Sequence, residues 1–185
     1  MAIGLKPYAK ARPGTLNYAS AGTGTPQHLC GELFKMLTGV ELVHVPYRGG
    51  APAVTDMIAG QVQLMFDFLA SSLEHVRAGT LRALAMTSAK RWPALADLPT
   101  VADFLPGFEA VMPGGIAAPK NTPTAFIERL NREISVMLTD PRMKARFAEV
   151  GSQTLTGLPT EFANLMEADA EKWRRVIRAA NIKMG

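Results

Sequence analysis

The sequence predicts an α/β fold organised on a mostly parallel sheet, and three observations point there. From Thr15 to Met86 one unit recurs: an apolar strand, a short loop, an amphipathic helix, a glycine, then the next strand. Strands alternating with helices at this spacing require crossover connections, which are right-handed and leave the strands parallel. The helices also carry explicit start and stop residues. Finally, 48% hydrophobic against 19% charged residues over 185 positions supplies a real core for one large domain or two small lobes, and argues against disorder.

The first repeat is the most strongly marked. Leu16–Ala19 reads as a strand, Ser20–Thr25 as a polar turn, and 26–38 as a helix with Thr25 at its N-cap, Pro26 at its first position and Gly39 as its left-handed stop. The residues before it, up to Pro13-Gly14, read as a helix remnant and a turn. After it, Leu42–Val45 leads through Pro46-Tyr47-Arg48-Gly49-Gly50 into a helix over Pro52–Ala59, stopped by Gly60. Val62–Phe66 ends at Asp67 and feeds a helical segment through Leu73–Arg77, stopped by Gly79; Leu81–Met86 follows as a fourth strand. Pro93, Pro99, Pro106 and Pro113 make Arg91–Pro113 irregular, with a brief helix around Val101–Phe104 and then a strand through Gly115–Ala118. Beyond Pro119 the pattern is helical. Thr122-Pro123 opens a helix whose Phe126, Ile127, Leu130, Ile134, Met137 and Leu138 form one stripe. Asp140-Pro141 opens a shorter helix closed by Gly151, Gln153–Leu155 is a candidate strand, and Thr160 caps a long last helix. That helix gathers Phe162, Leu165, Met166, Trp173, Val176 and Ile177 on one face, which must bury against something.

Composition removes several function classes. The net charge of +4 is mild. Its one basic cluster, Lys172, Arg174, Arg175 and Arg178, follows Glu161, Glu167, Asp169 and Glu171 along the same helix. That order suits the helix dipole and a solvated face, so no nucleic-acid partner is expected. Cys30 is the single cysteine, which rules out an intrachain disulfide, and it reads as a small buried hydrophobe between Leu29, Leu33 and Phe34. No apolar run is long enough to span a membrane. The opening Met-Ala-Ile-Gly-Leu-Lys-Pro has no hydrophobic stretch of a secretory signal. His28, His44 and His75 do not form a metal-ligand spacing, so neither metal nor cofactor is expected.

In a parallel sheet with helical crossovers, ligands bind beyond the C-terminal strand ends. Three loops share that edge. The turn after the first strand offers hydroxyls of Ser20, Thr23 and Thr25 and backbone N–H groups at Gly22 and Gly24, at a helix mouth whose unpaired amides and dipole favour an anion. The second loop adds Tyr47, Arg48 and the pair Gly49-Gly50 before another helix, and the third supplies Asp67 as an acceptor or a loop organiser. Enzyme signatures are missing. Gly22-Thr-Gly-Thr-Pro-Gln lacks the third glycine of a dinucleotide fingerprint, and there is no phosphate loop or nucleophile elbow. The residues favour binding a small carboxylate over turnover.

Several stretches together resemble a known family. They are Pro13-Gly-Thr-Leu-Asn-Tyr-Ala-Ser-Ala-Gly-Thr-Gly-Thr-Pro-Gln-His-Leu, His44-Val-Pro-Tyr-Arg-Gly-Gly-Ala-Pro-Ala, Gly60-Gln-Val-Gln-Leu-Met-Phe-Asp, Gly79-Thr-Leu-Arg-Ala-Leu-Ala-Met-Thr-Ser-Ala-Lys-Arg, Leu98-Pro-Thr-Val-Ala-Asp, Ala118-Pro-Lys-Asn-Thr-Pro and Lys172-Trp. In this order they resemble the Bug family, the extracytoplasmic solute receptors of tripartite tricarboxylate transporters. The resemblance implies a periplasmic-binding-protein fold of type II. Residues 1–114 would form one complete α/β lobe, lobe two of the family, with a short N-terminal hinge segment. Residues 115–185 would supply a crossover strand and helices of an incomplete lobe one. It further implies a small carboxylate, dicarboxylate or amino-acid ligand, membrane transporter subunits as partners, a periplasmic address and no catalysis. Ser20, Gly22, Thr23, Gly24, Thr25, Tyr47, Gly49 and Asp67 are the expected ligand-binding set. The family's signal peptide and first part of lobe one have no counterpart here, so the long helix 160–182 should lack part of its packing partner, and the expectation is either self-association through that exposed face or a sequence that lacks its start. An effector-binding lobe of a regulator, an anion-handling enzyme and a self-associating remnant that binds nothing stand as alternatives.

Overall fold

A computed structural model describes residues 4–92 and 95–183; Pro93 of the proline-rich connector lies outside them. In chain order the elements are α1 (Leu5–Ala11), β1 (Asn17–Ser20), α2 (Pro26–Thr38), β2 (Val43–Pro46), α3 (Gly50–Ile58), β3 (Leu64–Met65), α4 (Leu69–Arg77), a 3₁₀ turn (Val101–Asp103), α5 (Thr124–Thr139), α6 (Pro141–Glu149) and α7 (Pro159–Ala179). They fall into two compact units, Met1–Met112 with Trp173–Gly185, and Pro113–Lys172.

The first unit is built around β1. It is the central strand of a parallel sheet of order β2-β1-β3, with Tyr18 opposite His44 and Leu64, and Ala19 opposite Val45 and Met65. Successive side chains of a strand point to opposite faces. Tyr18 therefore joins a core with Leu29, Cys30, Leu33 and Phe34 of α2, together with Leu42, Leu64, Phe108, Trp173 and Val176. Ala19 joins Ala53 of α3 and Val62 on the other face. Each large apolar side chain so buried contributes roughly 1.5–3 kcal/mol. Helix α2 spans the expected residues, and Gly39 ends it at φ 65°. It approaches β1 very closely: a Cβ on Gly31 would lie 2.4 Å from the Tyr18 ring.

Three of the expected strands are not formed among the described residues, the first of them in this unit. Leu81–Met86 makes a single bridge, Met86 with Thr100, through Met86 N–H to Pro99 O and Val101 N–H to Met86 O, both 2.8 Å. Its first residue is drawn away instead, the Leu81 amide closing on His75 O at 3.1 Å. Thr100 and Asp103 cap the following 3₁₀ turn reciprocally.

The second unit is helical. Asp140 caps α6, its Oδ1 accepting from the amides of Arg142 and Met143 at 2.7 and 3.4 Å. Neither α5 nor α6 has a buried residue. Phe126 is 64% exposed and Val136 equally so, and Leu155 and Leu158 are exposed as well. Gly115–Ala118 and Gln153–Leu155 are not strands, because no described backbone pairs with them in a ladder. The apolar face of α7 divides: Trp173 and Val176 are buried in the first unit's core, while Leu165 and Met166 stay exposed.

Candidate ligand-binding site

The C-terminal ends of β1, β2 and β3 bring three loops to one edge of the sheet: 20–25, 46–50 and 66–68. The first two are tied together by backbone, Tyr47 N–H to Ser20 O at 3.0 Å and Gly49 N–H to Ala21 O at 3.1 Å. The first and third meet through Gln27, whose Nε2 donates to Asp67 Oδ1 at 3.5 Å. All eight expected ligand-binding residues thus lie in one connected loop cluster, but their hydrogen-bonding groups are differently disposed from the expectation.

Most of the donors credited to the turn are engaged inside it. The Gly22 amide donates to Ser20 Oγ (3.2 Å), and the Gly24 amide to His28 Nδ1 (3.0 Å). Thr25 Oγ1 donates to Gly22 O at 2.7 Å, and Ser20, fully buried, has its Oγ 2.6 Å from His44 Nε2. The N–H groups of Gly22 and Gly24 are therefore not the exposed donors that the glycines suggested; they brace the turn. Asp67 organises its loop by accepting from Ser71 Oγ at 2.7 Å and from Ser72 Oγ, and Tyr47 donates its hydroxyl to Asp56 Oδ2 at 2.8 Å. That bond to a carboxylate raises the Tyr47 pKa above its ordinary value.

What the turn leaves open lies one step further on. Thr25 has the extended backbone of an N-cap yet makes no side-chain cap. The first helical bond is Leu29 N–H to Thr25 O, so the amides of Gln27 and His28 have no acceptor among the described residues. Thr23 is exposed at the tip of the turn, Arg48 is exposed on the second loop, and α3 also opens without a side-chain cap. Gln27 itself is 5% exposed and its Oε1 finds no partner among the described residues. An orphaned buried acceptor is unusual enough to mark a site. Sequence reading passed over Gln27 because a glutamine in a first helical turn is unremarkable until its neighbours are known. The groove between α3 and α4, lined by Ala51, Val54, Thr55, Ile58, Ser71 and His75, shares none of the expected residues.

Behind the turn lies an aromatic stack in which Tyr18 and His28 are buried and His44 is half-buried. The His28 and His44 rings are parallel within 3° with centroids 3.8 Å apart, and Tyr18 stacks on His44 at 4.9 Å. The register explains it: Tyr18 and His44 are paired neighbours on one sheet face, and α2 lays His28 over them. Tyr18 donates its hydroxyl to Glu32 Oε1 at 2.7 Å, and burial together with that carboxylate pushes the phenol far above its ordinary range. Burial lowers both imidazoles, His44 to about 4 and His28 in the same direction. Among the described residues no cluster of His, Cys, Asp and Glu could hold a metal, and no helix is long and apolar enough to cross a membrane.

A family model described as tripartite tricarboxylate transporter family receptor matches residues 4–182. The chain belongs to this family. Among curated relatives, a UPF0065 protein in the tcbD-tcbE intergenic region of Pseudomonas sp. is 42% identical over 91% of this chain, which covers 51% of the relative. The chain thus spans about half the length of that relative. Among solved structures, an R. palustris protein with adipate is 38% identical with a TM-score of 0.88, over 96% of this chain and 60% of that one. MatC from Rhodopseudomonas palustris with bound malate is 26% identical with a TM-score of 0.77, over 93% and 60%. The structure of the periplasmic binding protein BugD is 32% identical with a TM-score of 0.83, over 97% of this chain and 61% of that one, so the α/β fold falls with periplasmic binding proteins and the family is one of receptors.

Proposed function

We propose that the chain is the carboxylate-binding part of a solute receptor, feeding a tripartite tricarboxylate-type transporter in the periplasm. The observation that carries the reading is the open mouth of α2. Two unpaired amides at Gln27 and His28 sit beside the exposed Thr23 at the C-terminal edge of a parallel sheet, in a chain of this receptor family. Two N–H donors at a positive dipole end suit a carboxylate and hold it without a formal counter-charge. Within the set of Ser20, Gly22, Thr23, Gly24, Thr25, Tyr47, Gly49 and Asp67, Thr23 contacts the ligand and the others hold the loops at the distance it needs. The solved neighbours carry adipate and malate, so a short dicarboxylate is the first class to test.

Calorimetric titration with adipate, malate and the uncharged diol of adipate tests this. Binding of a diacid with none of the diol is expected, with Thr23→Ala weakening it. Equal binding of acid and diol, or no binding of either acid, overturns the reading. Apolar side chains exposed on α5 and α7, among them Phe126, Leu130 and Leu165, favour self-association of this chain. A clean monomer by light scattering overturns that part.

A further inference from the structure

Both ends of the Ser20–Gly24 turn rest on the stacked imidazoles, and His28 also carries one of the two open amides of the helix mouth on its own backbone. His44 Nε2 lies 2.6 Å from Ser20 Oγ, and His28 Nδ1 accepts the Gly24 amide at 3.0 Å. We propose that His28 and His44 are positioning residues of the ligand site, a stacked uncharged pair that pins the turn at both ends and so sets the shape in which the mouth of α2 meets a carboxylate. This rests on the receptor reading above.

The chemistry of the bond fixes the ring state. An amide can donate to His28 Nδ1 only while that nitrogen carries no proton, so the neutral ring must hold its proton on Nε2. A second proton turns the acceptor into a donor facing another donor, and the Gly24 bond is lost. Two cationic rings at 3.8 Å would repel strongly, so the stack admits at most one charge. Of the groups facing the pair, only Glu32 favours a charged ring, and it does so less than burial opposes one. On α2, Glu32 Oε1 lies 3.9 Å from His28 Nε2, but it already accepts from Lys35 Nζ and from the Tyr18 hydroxyl, each at 2.7 Å. Lys35 itself opposes a charged ring. On β1 the pair meets Tyr18 and Ser20, neither of them anionic near neutrality. Burial lowers both imidazoles, His44 to about 4 and His28 in the same direction, which favours their neutral forms.

Nitrogen-15 NMR of the whole chain tests this without any ligand. Expected are the Nε2–H tautomer of His28 and a Gly24 amide shifted by its bond. The amides of the turn should move together on acidification, with a midpoint below the 6.5 of a free histidine. His28→Asn places Oδ1 where Nδ1 stood, so it should keep the Gly24 shift while removing the titration of the Gly24 amide, leaving that of the Ser20 end to His44; His28→Leu should lose both the Gly24 shift and its titration. An Nδ1–H tautomer, or turn amides that stay still while the rings titrate, overturns the proposal. With adipate as probe, His28→Leu should bind about tenfold more weakly, as loss of one buried hydrogen bond implies, and His28→Asn should recover most of it. If adipate binds neither variant nor the parent chain, the receptor reading fails, and the ligand-free NMR result still decides this proposal.

Discussion

The unit around β1 and the unit from Pro113 to Lys172 use the same amphipathic vocabulary with opposite results. Helix α2 places Leu29, Leu33 and Phe34 against Tyr18 and leaves each less than a tenth exposed. Helix α5 carries an equally regular stripe, yet Phe126 is 64% and Leu130 49% exposed. Periodicity dictates that a helix forms and which face is apolar. A core needs a second surface of matching shape, and in the first unit β1 supplies it within fifteen residues of α2.

The largest expected effect sets this contrast directly. Leu33→Ala should destabilise the first unit by about 2–5 kcal/mol in denaturant titration, the usual cost of a buried leucine, whereas Phe126→Ala should stay within about 0.5 kcal/mol. Comparable losses at both positions would break the comparison. Gly31→Ala comes next: its Cβ, 2.4 Å from the Tyr18 ring, should cost about 1–3 kcal/mol by overpacking, read as a lower melting temperature. A histidine effect sharpens the same contrast, since 113–172 contains no histidine. Below about pH 6.5 an unfolded histidine takes up a proton that folded His28 and His44 resist. The unfolded state then binds more protons, and stability falls as the pH drops, until folded His44 itself protonates near 4. Trp173 fluorescence should follow that loss, and the combination of His28→Asn with His44→Gln should flatten it. The smallest effect is Asp140→Ala, which should fray the start of α6 in hydrogen exchange and leave the β1 unit's melting unchanged.

Legibility in the sequence followed the same division. Helix 26–38 could be read to the residue because Pro26 and Gly39 act through local backbone geometry alone. The strands at Leu81–Met86 and Gly115–Ala118 could not, because an apolar run becomes a strand only when a neighbour offers a ladder, which lies outside any local window. The site was legible in place but not in chemistry. Glycines and hydroxyls located the turn, whereas the Gly24 amide is taken up by His28 and the Ser20 hydroxyl that accepts the Gly22 amide is held by His44, two rings brought together by sheet register and a helix crossing. A histidine in a helix start and another in a strand carry no mark that they will lie face to face.

The close approach at Gly31 has a consequence beyond packing. A single hydrogen at that position lets α2 settle onto Tyr18, and the same settling delivers His28 to the ring of His44 and the helix mouth to the sheet edge. Thickening the molecule there by one methyl would lift the whole helix like a shim under a hinge plate, throwing the loop out of alignment from about two turns away without altering any atom a solute could touch.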